Sequence, residues 1–563
     1  MIRPSAVFFL TLTSLLAHQV ALGAGSPGGS PGGLLRTVAI TGAQAPSTLP
    51  GVEFASIFGD VALNENGEVA FRTTLGRDGV GFSNGNAIYS DGAQAGLRLI
   101  ARTGEQVPGL PSGALFGSNF SNPNLNTAGQ VAFENQLAGA DVTNRTSRAI
   151  FVGSEAGGLD LVARGGDPVP GMPGFDYGFY LGGNLLNSSG VVGFVADVLG
   201  PGTTSRNLGA LFTKETGRPA RLIVREGDAI AGSLPGEGVD VFFGTVLNES
   251  GHLAFSTILD GGIPEQRAVV RQVDVSTVEV VARTGDPAPG QSPGLTYGLV
   301  GPPGFNSRGE TAFLTVLGTR DGVNYGDSDG VASLVALEDD LAPGQPAGVR
   351  YQSFNQVGDQ IVINSQGDIA FRARLDGFED PQFRPSAIFV HSEGITKPIV
   401  SGGDPLPDRP SLTYSDTLTP PAINAAGQVA LLATLRGPDV GASLNRAIVG
   451  LDRSGQLRTV VCEGDAIDVS NDPGDPDLRI LQSISFHGGY GNDDGRASAF
   501  NDLGQIAFVG RFTDGSSGVF VSDVLTIPEP AAGVAAVAAG GYLVICQRRR
   551  RTEVSTSHPQ SHL

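Results

Sequence analysis

The sequence predicts an all-β fold: an eight-bladed β-propeller of roughly 60-residue, four-stranded repeats, closed by an N-terminal strand and followed by a C-terminal transmembrane helix. Three observations predict the ring. First, the pattern Asn-x-x-Gly-x-x-Ala-Phe starts at Asn64, Asn126, Asn248, Asn306, Asn364 and Asn501. Altered copies start at Asn187, where Gly193 replaces the Ala, and at Asn424, where Leu431 replaces the Phe. The eight copies lie 62, 61, 61, 58, 58, 60 and 77 residues apart, too close for domains and right for supersecondary units. Second, another motif ends a strand between the copies, as in Val280-Val-Ala-Arg-Thr-Gly-Asp286-Pro-Ala-Pro-Gly290 and Ala163-Arg-Gly-Gly-Asp167. Relatives of it end at Glu105, Asp228, Asp404 and Asp465. Third, Leu34–Gly42 resembles the fourth strand of a repeat standing alone, while the last repeat has its first three strands, Ala497–Phe500, Gln505–Phe512 and Ser517–Asp523, and lacks a fourth. An N-terminal strand that completes the last blade removes two open edges. Stacked β-sandwich repeats are the alternative architecture.

Turn chemistry accounts for the first motif. Asn at its first position and Gly at its fourth suit a type I turn followed by a left-handed residue, the three-residue hairpin with a Gly bulge. The Asn side chain accepts from a backbone N–H two residues on. Phe242–Leu247 then reads as the strand before the turn, His252–Leu259 as the strand after it, Ala268–Val273 as the third and the segment ending in Gly-Asp as the fourth.

Taken in order, residues 1–23 read as a signal peptide: basic Arg3, an apolar core over Ala6–Ala17, and small residues at Ala21-Leu-Gly23. Residues 24–33 are a Gly/Ser/Pro linker. Residues 34–525 are the repeats. Two oxygen-rich stretches interrupt them and supply loose calcium candidates: Asp327 and Asp329 in one, Asp475, Asp477, Asp493 and Asp494 in the 77-residue interval. Neither matches the full EF-hand spacing. No cofactor-binding motif occurs. Ala531–Cys546 is an uncharged run that ends at Arg548-Arg-Arg-Arg551, and the arginines favour the cytoplasmic side for the tail, residues 552–563.

Pro528-Glu529-Pro530, a short apolar segment and the arginine cluster Arg548, Arg549, Arg550 and Arg551 together resemble the PEP-CTERM sorting signal of exopolysaccharide-producing bacteria, over residues 526–551. A twelve-residue extension after the arginines departs from it. The Asn-x-x-Gly-x-x-Ala-Phe copies resemble a repeat of surface proteins with various C-terminal anchors. The resemblance implies recognition by an exosortase-type sorting enzyme and delivery to the cell envelope, cell surface or extracellular matrix, with a membrane association through the C-terminal helix. It implies no ligand.

Composition narrows the function. The formal charge is −20; the first 23 residues carry +1 and residues 531–563 carry +3, so the body between them carries −24. Such a body repels nucleic acid. Trp is absent and there are two cysteines, Cys462 and Cys546, so packing and not disulfides stabilises the ring. Outside the two ends only His252, His391 and His487 remain, each in a different repeat, which leaves no Ser-His-Asp arrangement. No residue is assigned a catalytic role. The expected function is a non-enzymatic surface protein that contacts exopolysaccharide or another surface protein. The alternatives are a secreted polysaccharide hydrolase or lyase using rim carboxylates, and a calcium-dependent adhesin.

Overall fold

The computed structural model describes residues 34–526, apart from 78, 82, 93–95, 154–157, 262–265, 355–360, 439, 442–444, 473 and 489–493. Strands form eight separate antiparallel sheets, one per Asn motif. In the first blade they are Glu53–Leu63, Val69–Gly76, Asn86–Ser90 and Arg98–Arg102, and in the fourth Gly238–Leu247, Leu253–Asp260, Arg267–Gln272 and Val278–Arg283. The eighth blade is closed from the other end of the chain: Leu35–Ile40 pairs antiparallel with Ser517–Ser522, from Leu35 opposite Ser522 to Ile40 opposite Gly518.

The Asn turns have the expected form. In the fourth blade the side-chain oxygen of Asn248 accepts from the N–H groups of Ser250 (3.1 Å) and His252 (2.9 Å), and Gly251 sits at φ +78°. The Phe of the motif faces its partner on the third strand. Phe133 stacks on Phe151, Phe194 on Phe212 and Phe371 on Phe389, with ring centroids 5.5, 5.3 and 5.6 Å apart, and all six rings are buried. Such cross-strand aromatic pairs add to plain area burial.

The turn asparagines also do something the sequence did not disclose. Each sends its side-chain N–H to the backbone carbonyl of the next turn Asn. Asn64 donates to Asn126, Asn126 to Asn187, Asn187 to Asn248, Asn248 to Asn306, Asn306 to Asn364, Asn364 to Asn424 and Asn424 to Asn501, at 2.9 to 3.1 Å. Asn501 donates to Asn64 at 2.9 Å, and the circle is complete. All eight are buried. In most turns the same amide also donates to the side chain four residues on, as Asn306 does to Glu310 at 2.7 Å. The turn alone does not need Asn: Asp327 and Asp452 make the same turn between third and fourth strands, accepting from residues two and four on. Only the amide supplies the donor that reaches the neighbouring blade.

Two expectations are corrected. The strand Ala497–Phe500 is not the inner strand of the last blade; that strand is Leu478–Ser485, paired with Ile506–Phe512. The long interval arises because residues 486–505 separate the two, and Asp494–Ser498 among them lies against the inner strands of other blades. The C-terminal transmembrane helix is the second correction: the described residues contain no α-helix and no helix long and apolar enough to cross a membrane. Ala531–Cys546, on which that expectation rested, lies outside the described residues, as do the signal peptide, Pro528, Glu529, Pro530 and Arg548–Arg551.

Candidate ligand-binding site

The inner wall of the ring is made by the strand that precedes each Asn turn. In the first, third and fourth blades the last N–H of this strand donates to a carbonyl of the stretch that follows Leu478–Ser485; in the second, Leu125 N–H donates to Asn124 Oδ1. Phe486, His487 and Gly488 line one cavity with residues of the fifth, sixth and seventh blades, among them Leu314, Phe371 and Pro421. Leu247 of the fourth blade then donates to Asp494 O (2.8 Å), Leu186 of the third to Gly495 O (2.7 Å) and Leu63 of the first to Ser498 O (2.7 Å). The second blade joins through Asn124, whose side chain donates to Gly495 O at 2.5 Å. Gly495 is required here: its φ is +72°, and a Cβ would stand 2.8 Å from the carbonyl oxygen of Leu247. Asp494–Ser498 thus forms a collar along the first four blades at the Asn-turn end. Asp494 is buried within it and paired to Arg496; burial pushes its carboxyl up, and Arg496 pulls it back.

Between Phe486–Gly488 and the fifth to seventh blades is a cavity of about 230 Å³ lined mainly by apolar groups, including Leu314, Ile361, Leu432 and Phe486. The three exposed aromatic side chains of the described residues are all on inner strands, of the third and fourth blades: Phe179 (57% exposed) and Tyr180 (55%) on Asp176–Leu186, and Phe243 on Gly238–Leu247. A bulge in each of these strands breaks the alternation that would bury them against a neighbouring blade. Arg267 lies over the Phe243 ring, 5.6 Å from its centroid.

Two carboxylates brace the aromatic pair. Asp197 accepts from Tyr180 N–H (3.2 Å), and Glu134, from the second blade, accepts from Gly183 N–H (2.8 Å). Burial raises both carboxyls above the usual range; backbone donors hold them partly down, with Arg148 adding to this at Glu134. The fold therefore favours protonated Glu134, and its ionisation costs stability as the pH rises from the ordinary Glu value through the raised one. Glu134→Gln keeps the acceptor and removes the charge. It is expected to melt above the parent at about pH 7 and level with it at about pH 3, where Glu is protonated in both states; calorimetry at the two pH values checks this.

The sequence-level candidates are not brought together. Asp327 caps its own turn, Asp329 is exposed, Asp475 is exposed, and Asp477 pairs with Arg479. Asp494 is in the collar, and Asp493 lies outside the described residues. Among the described residues no three His, Cys, Asp or Glu side chains converge as a metal site would need. The Gly-Asp carboxylates turn the chain at one rim: Asp404 accepts from Ser401 N–H, and Asp465 from Cys462 N–H and from Arg409. His391 contacts Thr396 Oγ1 at 2.9 Å, and His252 sits in its Asn turn; burial lowers the pKa of both. The exposed aromatics were missed by sequence reasoning because a bulged strand has no fixed period.

A family model, described as a family of unknown function (DUF7453), matches residues 26–179 and 173–534. The chain belongs to this family. Both matches run through consecutive Asn repeats, so the DUF7453 region and the ring are nearly coextensive. No curated protein matches the chain. Solved structures similar to it include Porphyromonas gingivalis dipeptidyl peptidase 4, at a TM-score of 0.36 and 9% identity over 74% of this chain; the chain spans 54% of that one. The β-propeller domain of the Trilobed protease from Pyrococcus furiosus gives 0.35 and 10%, over 72% of this chain and 98% of that one. Polysaccharide lyase Uly1 gives 0.34 and 8%, over 86% and 97%. None of these likenesses bears on the chemistry of this DUF7453 protein.

Proposed function

We propose that this DUF7453 propeller is an exported, non-enzymatic binding module that holds a glycan in the axial cup above the collar. The observation that carries the reading is the placement of Phe179, Tyr180 and Phe243. Exposed aromatic rings on the innermost strands cost free energy in water unless something covers them. A ring face with carboxylates beside it suits a sugar, which presents C–H groups on one face and hydroxyls at its edge. Glu134 and Asp197 are engaged by backbone N–H groups of the strand that carries the aromatics, which fits a bracing role better than acid–base work. The PEP-CTERM-like signal brings the protein to surface polysaccharide in this reading.

The test is the double variant Phe179→Ala, Tyr180→Ala. Both side chains are exposed, so the fold is expected to keep its melting temperature within about 2 °C. Retention of the purified protein on polysaccharide from the source cells is expected to fall about tenfold or more, the loss of roughly 1.4 kcal/mol or more that two stacking contacts supply. Unchanged retention removes the cup as the binding site.

A further inference from the structure

We infer that the ring has an attachment face and a recognition face, and that the chain's two ends leave it on the face away from the cup, so that the glycan is met by the face bearing the Gly-Asp hairpins. The inference rests on the reading of the cup as the glycan site. The chain enters at Leu34, whose carbonyl accepts from Asp523 N–H at 2.8 Å, and Arg36 donates to the carbonyl of Gly67 in the first Asn turn. It leaves at Val524–Thr526, where Leu525 is buried and its carbonyl accepts from Gln428 of the seventh Asn turn at 3.1 Å. Both ends are therefore on the Asn-turn side, which the collar also covers. Whatever holds the protein by either end holds it from there.

The opposite side carries the hairpins that join each outer strand to the next inner strand. These hairpins carry exposed Leu49, Leu234 and, opposite Arg350 at a hairpin base, Leu341. Leu478 and Ile480, at the start of the last inner strand, are also exposed on that side. Together with the three inner-strand aromatics they are most of the large exposed apolar groups of the described residues. A polysaccharide approaching from the hairpin side meets these groups, whereas one approaching from the Asn side meets the collar.

Blade five supplies matched handles. Val331 (59% exposed) and Leu341 (60%) flank one outer strand, Ala332–Leu337, and lie on the Asn side and the hairpin side respectively. The variants Val331→Cys and Leu341→Cys, each with Cys546→Ser, leave only buried Cys462 besides the new thiol. Each is coupled to maleimide beads and offered source-cell polysaccharide, with uncoupled protein assayed in parallel by co-sedimentation. Coupling through Val331 is expected to keep capacity within about twofold of the uncoupled protein, and coupling through Leu341 to lower it about fivefold or more. Equal capacities, or the reverse order, overturn the assignment of faces while leaving the cup reading intact. Uncoupled protein that does not bind overturns both.

Discussion

Asn306→Asp is expected to destabilise the protein by about 3 kcal/mol or more, while Asp327→Asn, in the same type of turn within the same blade, is expected to change stability by less than about 0.5 kcal/mol. Asn306 is fully buried and makes four hydrogen bonds. Its oxygen accepts from Arg308 and Glu310 N–H, both at 3.0 Å, and its amide donates to Glu310 Oε2 (2.7 Å) and Asn364 O (2.9 Å). Aspartate preserves the first two. It loses both donations, about 1.5–3 kcal/mol for the one to the Glu310 carboxylate and about 0.5–1.5 kcal/mol for the one to Asn364 O, and sets a buried carboxylate against another; Glu310 Oε2 keeps Arg308 and Asn364 O keeps Gly367 N–H. Asp327 accepts only from Asp329 and Val331 N–H, at a half-exposed site, and an amide oxygen does the same. At roughly 2.1 cal/mol/K per residue a ring of this size gives only about 1 °C for each kcal/mol, so denaturant midpoints are the better readout. Equal effects of the two swaps would reduce the turn asparagines to turn formers.

Removing the closing strand is expected to have the larger consequence. Deletion of residues 34–41 strips Leu35–Ile40 from Ser517–Ser522, together with the bond from Thr41 N–H to Ser517 O at 2.8 Å. The strand so exposed, Ser-Gly-Val-Phe-Val-Ser, is buried along its whole length in the intact ring. An open apolar edge pairs with other chains, and the truncated protein is expected to elute as oligomers or precipitate where the parent is monodisperse on size-exclusion chromatography. A synthetic peptide spanning Leu34–Thr41, added during refolding, is expected to restore the parent elution volume. A monodisperse truncated protein with parental melting would show that the ring does not depend on this strand.

Much of this architecture could be read from the sequence, and the reason is physical. Asn and Gly at fixed offsets are dictated by local turn geometry, so the repeats, their four strands and the missing last strand were all visible without a structure. The circle of asparagines was not, because it depends on how one blade sits against the next. Its trace is present all the same: across eight copies the Ala and Phe positions vary at Gly193 and Leu431, while the Asn never does, although Asp makes the turn equally well at Asp327 and Asp452. The collar was hidden for a different reason. Its residues form no regular element, and their carbonyls accept from the first four blades, so Ala497–Phe500 looked like the strand that Leu478–Ser485 in fact provides. The cup aromatics depended on bulges that re-aim side chains, and no alternation pattern records those. The expectation of a transmembrane helix rested on a composition outside the described ring and finds no counterpart within it.

A cup that only binds leaves the glycan intact. Incubation of the protein with size-defined polysaccharide from the source cells, following both the bound fraction and the chain length of the glycan recovered, decides between binding and cleavage. Retention that depends on Phe179 and Tyr180, with unchanged chain length, is the predicted result. Shortened chains, abolished by replacing Glu134 or Asp197 in a folded variant, would contradict it and make the bracing carboxylates catalytic.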